Sequence, residues 1–156
     1  MLTIGSQIPQ LMVQVVISNE KKEISTNELF SGKIILFGLP GAFTPTCSQV
    51  QLPSFAEKEE ALRSEGYEKI ICMSVNDAYV MQAWKEQVAP SADIIMLADG
   101  SATLTKALGL ELDLTEKHMG LRCTRFLLVI ENSVVSKINI ETNPGTCAVS
   151  HANSLL

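Results

Sequence analysis

The chain has 156 residues, a length suited to one hydrophobic core and too short for two large domains. Hydrophobic residues make up 46% and charged residues 19%, which excludes a disordered chain. Twelve basic residues against seventeen acidic ones leave a formal charge of -5 with no basic cluster, so a nucleic-acid or anionic-membrane role is disfavoured.

Gln10–Ile17 is apolar and β-branched, is broken by Ser18-Asn19, and is followed by Lys22–Ile24, which predicts a hairpin. Thr26–Phe30 is short enough for one helical turn before Ser31-Gly32. Lys33–Leu39 is a continuous apolar run, the mark of a strand buried on both faces, and is far short of the ~20 residues of a membrane span. After the Pro40–Phe43 loop, a long helix is expected from Thr44 to about Ser64, ending at Gly66. Pro53 lies inside it, cannot bond back to Gln49, and predicts a kink. Lys69–Val75 reads as a second buried strand. Asp77 caps a helix over 78–88 that stops before Pro90.

Ile94–Leu97 is a short strand and Ser101–Leu108 a short helix closed by Gly109. Arg125–Ile130 and Val134–Ile140 predict a hairpin around Asn132-Ser133, and Ala148–Leu155 a closing helix. This order predicts one α/β domain over 1–156, its mixed sheet parallel in the middle and antiparallel at the end, flanked by helices. The start has neither a basic stretch nor a long apolar run, so no secretory signal is expected and the compartment reads as cytoplasmic, or an organelle if a transit peptide has been trimmed.

The stretch Gly38–Cys47 concentrates the chemistry. A buried strand ends, a Pro-Gly loop turns, and a helix begins with Thr44 at its cap and Pro45 at its first position. Cys47 then falls in the first turn, where free N–H groups and the positive end of the helix dipole favour a negative sulfur. A cysteine near a helix start can also be an inert core residue. The coincidence of turn, cap and helix start favours the reactive reading. The four cysteines, at 47, 72, 123 and 147, form no C-x-x-C pair and fit no zinc-finger spacing. His118 and His151 lack partners at ligand spacing, so neither a metal nor another cofactor is expected.

PGAFTPTC (Pro40–Cys47), SVNDAYVMQAW (Ser74–Trp84) and RFLLVIENSVV (Arg125–Val135) stand in one order along the chain. With them the sequence resembles the type II (atypical two-cysteine) peroxiredoxins over nearly its whole length. The resemblance implies a thioredoxin-like fold and a thiol-dependent peroxidase acting on hydrogen peroxide and alkyl hydroperoxides. It makes Cys47 the peroxidatic cysteine, Thr44 the hydroxyl beside it, Pro40 its shield from water and Arg125 its cation. Gly41 falls where the family's loop presents a backbone N–H. It also implies thioredoxin, glutaredoxin or glutathione as reductant, and a homodimer.

The chemistry suits these roles, because displacement at an O–O bond builds negative charge on the leaving oxygen, which a permanent cation stabilises. Arg122, the competing cation, is read as a solvated loop residue. The resolving thiol stays open between Cys147, in the Asn143-Pro144-Gly145 loop, and Cys72, in a strand. Cys147 is favoured because its loop can move, and an external thiol is a third route. Cys123 matches no resolving position. Many relatives carry C-x-x-x-H-x-P-G, where this chain has Gln51 and Ser54 around Leu52-Pro53. The rival reading is a thioredoxin-like redox sensor or binding module that forms a regulatory disulfide.

Overall fold

The computed structural model describes residues 2–156. A hairpin of β1 (Met12–Ile17) and β2 (Glu20–Ser25) leads through the single turn α1 (Thr26–Leu29) into β3 (Lys33–Gly38). There follow α2 (Leu52–Glu57), α3 (Glu59–Ser64), β4 (Lys69–Ser74), α4 (Ala78–Val88), β5 (Ile95–Ala98) and α5 (Thr103–Leu108). Next come a small hairpin, β6 (Glu111–Leu114) with β7 (Gly120–Cys123), and a longer one, β8 (Phe126–Glu131) with β9 (Val134–Ile140).

Seven strands form one sheet in the order β2-β1-β5-β4-β3-β8-β9, while β6 and β7 pair separately. β3, β4 and β5 are mutually parallel, and β1 and β8 flank them antiparallel. The mixed sheet is thus the one expected, with antiparallel strands on both sides rather than only at the end. Both two-residue hairpin turns, Ser18-Asn19 and Asn132-Ser133, have positive φ at both residues, as tight hairpins of this twist require.

The apolar runs are buried on both faces. Ile35, Phe37, Ile70, Cys72, Leu127 and Val129 face one layer, with Cys47, Leu52, Phe55 and Trp84. Ile34, Leu36, Ile71, Met73 and Leu128 face the other, with Leu29, Phe30, Leu104 and Leu108. The two-residue period of a strand sorts the side chains, and helices or turns on each side explain why no polar alternation survives. Gly38 pairs with Phe126, whose ring occupies the space a Cβ would need; its Cε1 would lie 2.0 Å away.

The helix expected from Thr44 to about Ser64 is three pieces. Cys47–Gln51 is a π-helical turn, in which the Leu52 N–H donates to Cys47 O five residues back. α2 then starts with Pro53 in its first turn, and α3 begins past a break at Lys58. Proline has no N–H for the four-residue ladder, and widening the turn ahead of it accommodates that gap. The tail is helical only as a short 3₁₀ turn over Ala152–Leu155. The β6–β7 hairpin lies in a stretch for which the sequence reading had no element.

Candidate active site

β3 delivers the chain to Pro40 at the carboxyl end of the parallel strands, where open α/β sheets place their sites. The loop is tied down from the next strand: Asn76 Oδ1 accepts the Ala42 N–H at 3.0 Å and the Ser74 hydroxyl at 2.6 Å. Phe43 takes a positive φ and turns the chain into the helix. The Thr44 hydroxyl donates to Gly41 O at 2.7 Å, so its proton is committed to the loop and its lone pairs remain to accept. Cys47 is fully buried in the turn that follows, which has no side-chain cap. The neighbouring Ser48 hydroxyl accepts the Trp84 indole N–H at 2.8 Å, which moors the turn to α4.

Arg125, just before β8, is 2% exposed. Its Nε donates to Pro144 O at 2.9 Å and its Nη1 to Gln51 Oε1 at 2.8 Å. Gln51 is itself fully buried, and its amide group donates to Phe126 O and Ser150 O, each at 3.3 Å. Sequence reasoning treated Gln51 only as a departure from a histidine. Its place four residues past Cys47, on the same face of the turn, was the available signal. Here it is the buried link between the Cys47 turn, Arg125 and the tail.

Arg122 is not a solvated loop residue. It lies half-buried on β7 and donates to Met119 O at 2.9 Å and Pro40 O at 3.3 Å. A Cβ at Gly41 would stand 2.9 Å from its Nη1, so a glycine there allows the approach. The two arginines are thus both used, one on the loop and one beside the Cys47 turn.

A cleft of about 240 Å³ opens at this point, lined by Pro40, Thr44 and Arg125 on one side and by Leu112, Leu114 and Met119 of the β6–β7 region on the other. It offers a permanent cation and a hydroxyl acceptor within an apolar wall, which suits a small polar head on an organic group.

The other cysteines differ in setting. Cys72 is fully buried mid-strand in β4, paired to Phe37 and to Met96, and burial pushes its thiol well up. Burial likewise raises Cys123, against a hydrogen bond to Leu39 O. Cys147 is half-buried in irregular chain; burial raises its thiol too, while the Ser150 hydroxyl and Arg125 pull the other way. The loop before it is bonded to the site, since the Thr46 hydroxyl donates to Gly145 O at 3.0 Å. The structure therefore lines one cleft with Pro40, Thr44 and Arg125, bonds Gly41 to Thr44, and joins Arg125 through Gln51 to the turn that starts at Cys47. It puts Cys72 in the same core layer as Cys47 and Cys147 in the segment bonded to Arg125 and Thr46.

Residues 3–156 match the Redoxin family model. Peroxiredoxin-2D of Arabidopsis thaliana is 42% identical over 157 residues, covering 99% of this chain and 96% of its own length. The chain belongs to the type II peroxiredoxins. Among solved structures, reduced Prx3 of Vibrio vulnificus in complex with H2O2 is 40% identical with a TM-score of 0.91, covering 99% of this chain and 94% of that one. The mixed sheet and flanking helices are the thioredoxin-like fold of that family, and the protein is a thiol-dependent peroxidase. The hybrid peroxiredoxin hyPrx5 of Haemophilus influenzae is 37% identical, with this chain spanning 64% of it. Chloroplastic relatives occur as well, such as Peroxiredoxin-2E-2 of Oryza sativa at 42% identity over 71% of its length. No helix among the described residues is long and apolar enough to cross a membrane.

Proposed function

We propose that this peroxiredoxin domain, spanning 1–156, reduces hydrogen peroxide and alkyl hydroperoxides with Cys47 as the attacking thiolate. The observation that carries the reading is that Thr44 and the buried Arg125 line one small cleft next to the turn that holds the buried Cys47. The sulfur attacks the near peroxide oxygen, an S–O bond forms as the O–O bond breaks, and the leaving oxygen departs as water or an alcohol once it takes a proton. Thr44 Oγ1 accepts the peroxide O–H, because its own proton serves Gly41 O. Arg125 stabilises the charge on the leaving oxygen from a fixed position, with no reorganisation at the moment of reaction. Pro40 excludes water from the sulfur, and Gly41 supplies backbone polarity at the loop.

The resulting Cys47 sulfenic acid condenses with Cys147. Mobility favours that partner, since Cys147 lies outside any strand whereas Cys72 would have to leave two ladders. Thioredoxin, glutaredoxin or glutathione then reduces the disulfide. A reducing, cytoplasm-like compartment suits four free cysteines.

Steady-state turnover with each reductant tests the assignment. Cys147→Ser is expected to impair thioredoxin-driven turnover and Cys72→Ser to leave it nearly intact. The reverse pattern transfers the resolving role to Cys72, and full activity of both variants with glutathione makes an external thiol the resolver. The working unit is proposed as a homodimer; a monomeric mass for the reduced protein in light scattering contradicts it.

A further inference from the structure

Beyond the cleft, one fully engaged ionisable group has no part in the peroxide reaction. Glu141 follows β9, and its N–H donates to Arg125 O at 3.0 Å, extending the β8–β9 pairing by one residue. Its side chain is buried. Oε2 accepts the Val149 N–H at 2.8 Å, the Ser150 N–H at 2.8 Å and the Ser150 hydroxyl at 2.6 Å. Burial alone would raise this carboxyl. Hydrogen bonds from the Ser150 hydroxyl and from the Ala148, Val149 and Ser150 N–H groups outweigh it and hold the group below its ordinary value.

These bonds close a loop. Residues 142–148 leave the sheet at Glu141 and return to the same side chain at Val149 and Ser150. Before Cys147, the turn is held by Asn143, whose Oδ1 accepts the Gly145 N–H, and by Arg125 and Thr46 on the Pro144 and Gly145 carbonyls. After it, Asn139 donates to Val149 O at 2.8 Å and Gln51 to Ser150 O. Cys147 thus sits between two anchored stretches, its own thiol held only by a 3.7 Å contact to the Ser150 hydroxyl.

We propose that Glu141 is a positioning residue for disulfide formation: its carboxylate ties residues 149 and 150 to the end of β9 and keeps the Cys147 thiol within reach of the oxidised Cys47. The inference rests on the reading that Cys147 resolves. The step it serves is Cys47–S–OH plus the Cys147 thiol giving an S–S bond and water: the S–O bond breaks, and the Cys147 proton leaves with the hydroxyl. A tethered thiol acts at an effective concentration set by the length and freedom of its tether. Releasing the clip lengthens the free segment and loses its orientation, and loop closure alone changes slowly with length. A moderate effect on this one step is therefore expected, with none on the attack on peroxide.

Rapid mixing with peroxide separates the two events. Trp84, the single tryptophan, is bonded to Ser48 beside Cys47 and reports the turn by fluorescence. A phase whose rate rises with peroxide concentration is sulfenic acid formation; a later phase independent of it is disulfide formation, checked by mass spectrometry of alkylated samples. Glu141→Ala is expected to slow the second phase by about tenfold, an order-of-magnitude figure for a loosened tether, and to leave the first unchanged. Glu141→Gln keeps an acceptor oxygen at the same reach and restores most of the rate. Ser150→Ala removes the hydroxyl bond to Glu141 and the long contact to the Cys147 thiol but keeps both N–H bonds to the carboxylate; it falls between and remains informative if Glu141→Ala does not fold.

An unchanged second phase in Glu141→Ala and Ser150→Ala, while Cys147→Ser abolishes that phase, overturns the role of Glu141 and spares the resolving assignment. Equal slowing of both phases in every variant reduces Glu141 to general scaffolding and overturns the proposal. A second phase that persists in Cys147→Ser overturns the resolving assignment and this inference with it.

Discussion

Two strand-to-helix turns at the same edge of the sheet are built from opposite chemistry. Past β5, Asp99 is buried and accepts the Leu104 N–H at 3.1 Å, and the Thr105 N–H and hydroxyl at 2.7 Å each. The start of α5 is thereby saturated by a negative group. Past β3, the cap position holds Thr44, whose hydroxyl turns back to Gly41 O, and the turn that begins at Cys47 has no side-chain cap. A carboxylate there would satisfy the N–H groups and repel a second anion. A hydroxyl facing away leaves both the donors and the local positive potential for sulfur and substrate.

Size points the other way. A cleft of about 650 Å³ lies beside Asp77 and Asp99, and only about 240 Å³ beside Arg125. The larger opening has acidic caps on its rim, whereas the smaller is lined by a buried cation and by Thr44–Thr46, the residues leading into the Cys47 turn. Sign of charge, rather than volume, separates the turn proposed as reactive from the structural one.

The comparison breaks most severely at the sulfur. Cys47→Ser should lower peroxide consumption by at least about a thousandfold, the scale of losing a nucleophile, and retention of a substantial fraction would show that the β3 turn is not the reactive one. Thr44→Asp gives the β3 turn the cap that the β5 turn has. It should cost about a hundredfold in the peroxide-dependent rate, comparable to removing the cation in Arg125→Met. A Thr44→Asp enzyme as fast as wild type would refute the charge argument, and Thr44→Ser serves as the control that keeps the rate. Asp99→Ala is the smallest change. It should lower stability by about 2 kcal/mol through lost bonds to a charged cap, read from chemical denaturation, with the peroxide rate of the folded protein unaltered. A rate that falls with it would mean that the two turns are coupled.

The parts legible beforehand share one property: each is encoded within a few neighbouring residues. β3 and β4 announced themselves as unbroken apolar runs, and the two hairpins by Ser18-Asn19 and Asn132-Ser133. The Pro40–Cys47 loop was readable because cap, proline and cysteine fall within four residues, Thr44–Cys47. The β6–β7 hairpin was missed although Glu111-Leu112-Asp113-Leu114 alternates polar and apolar, since four residues are too few to separate a strand from a loop. Arg122 was misread because nothing local shows that β7 carries it to Pro40.

What local sequence could indicate was therefore the order of strands and helices and a candidate reactive turn, since short-range backbone preferences and side-chain periodicity act over a few residues. What it left to the tertiary structure was every contact between distant segments. Gln51 meets Arg125 across 74 positions, Thr46 meets Gly145 across 99, and Phe55 of α2 stacks on Phe37 of β3 with ring centroids 4.0 Å apart. Glu141 is an ordinary surface-type residue by composition. It becomes a buried clip because the chain returns to it eight residues later with its N–H groups aligned. Such a pairing is decided by packing, because a buried carboxylate is tolerable only where other parts of the fold supply its hydrogen bonds.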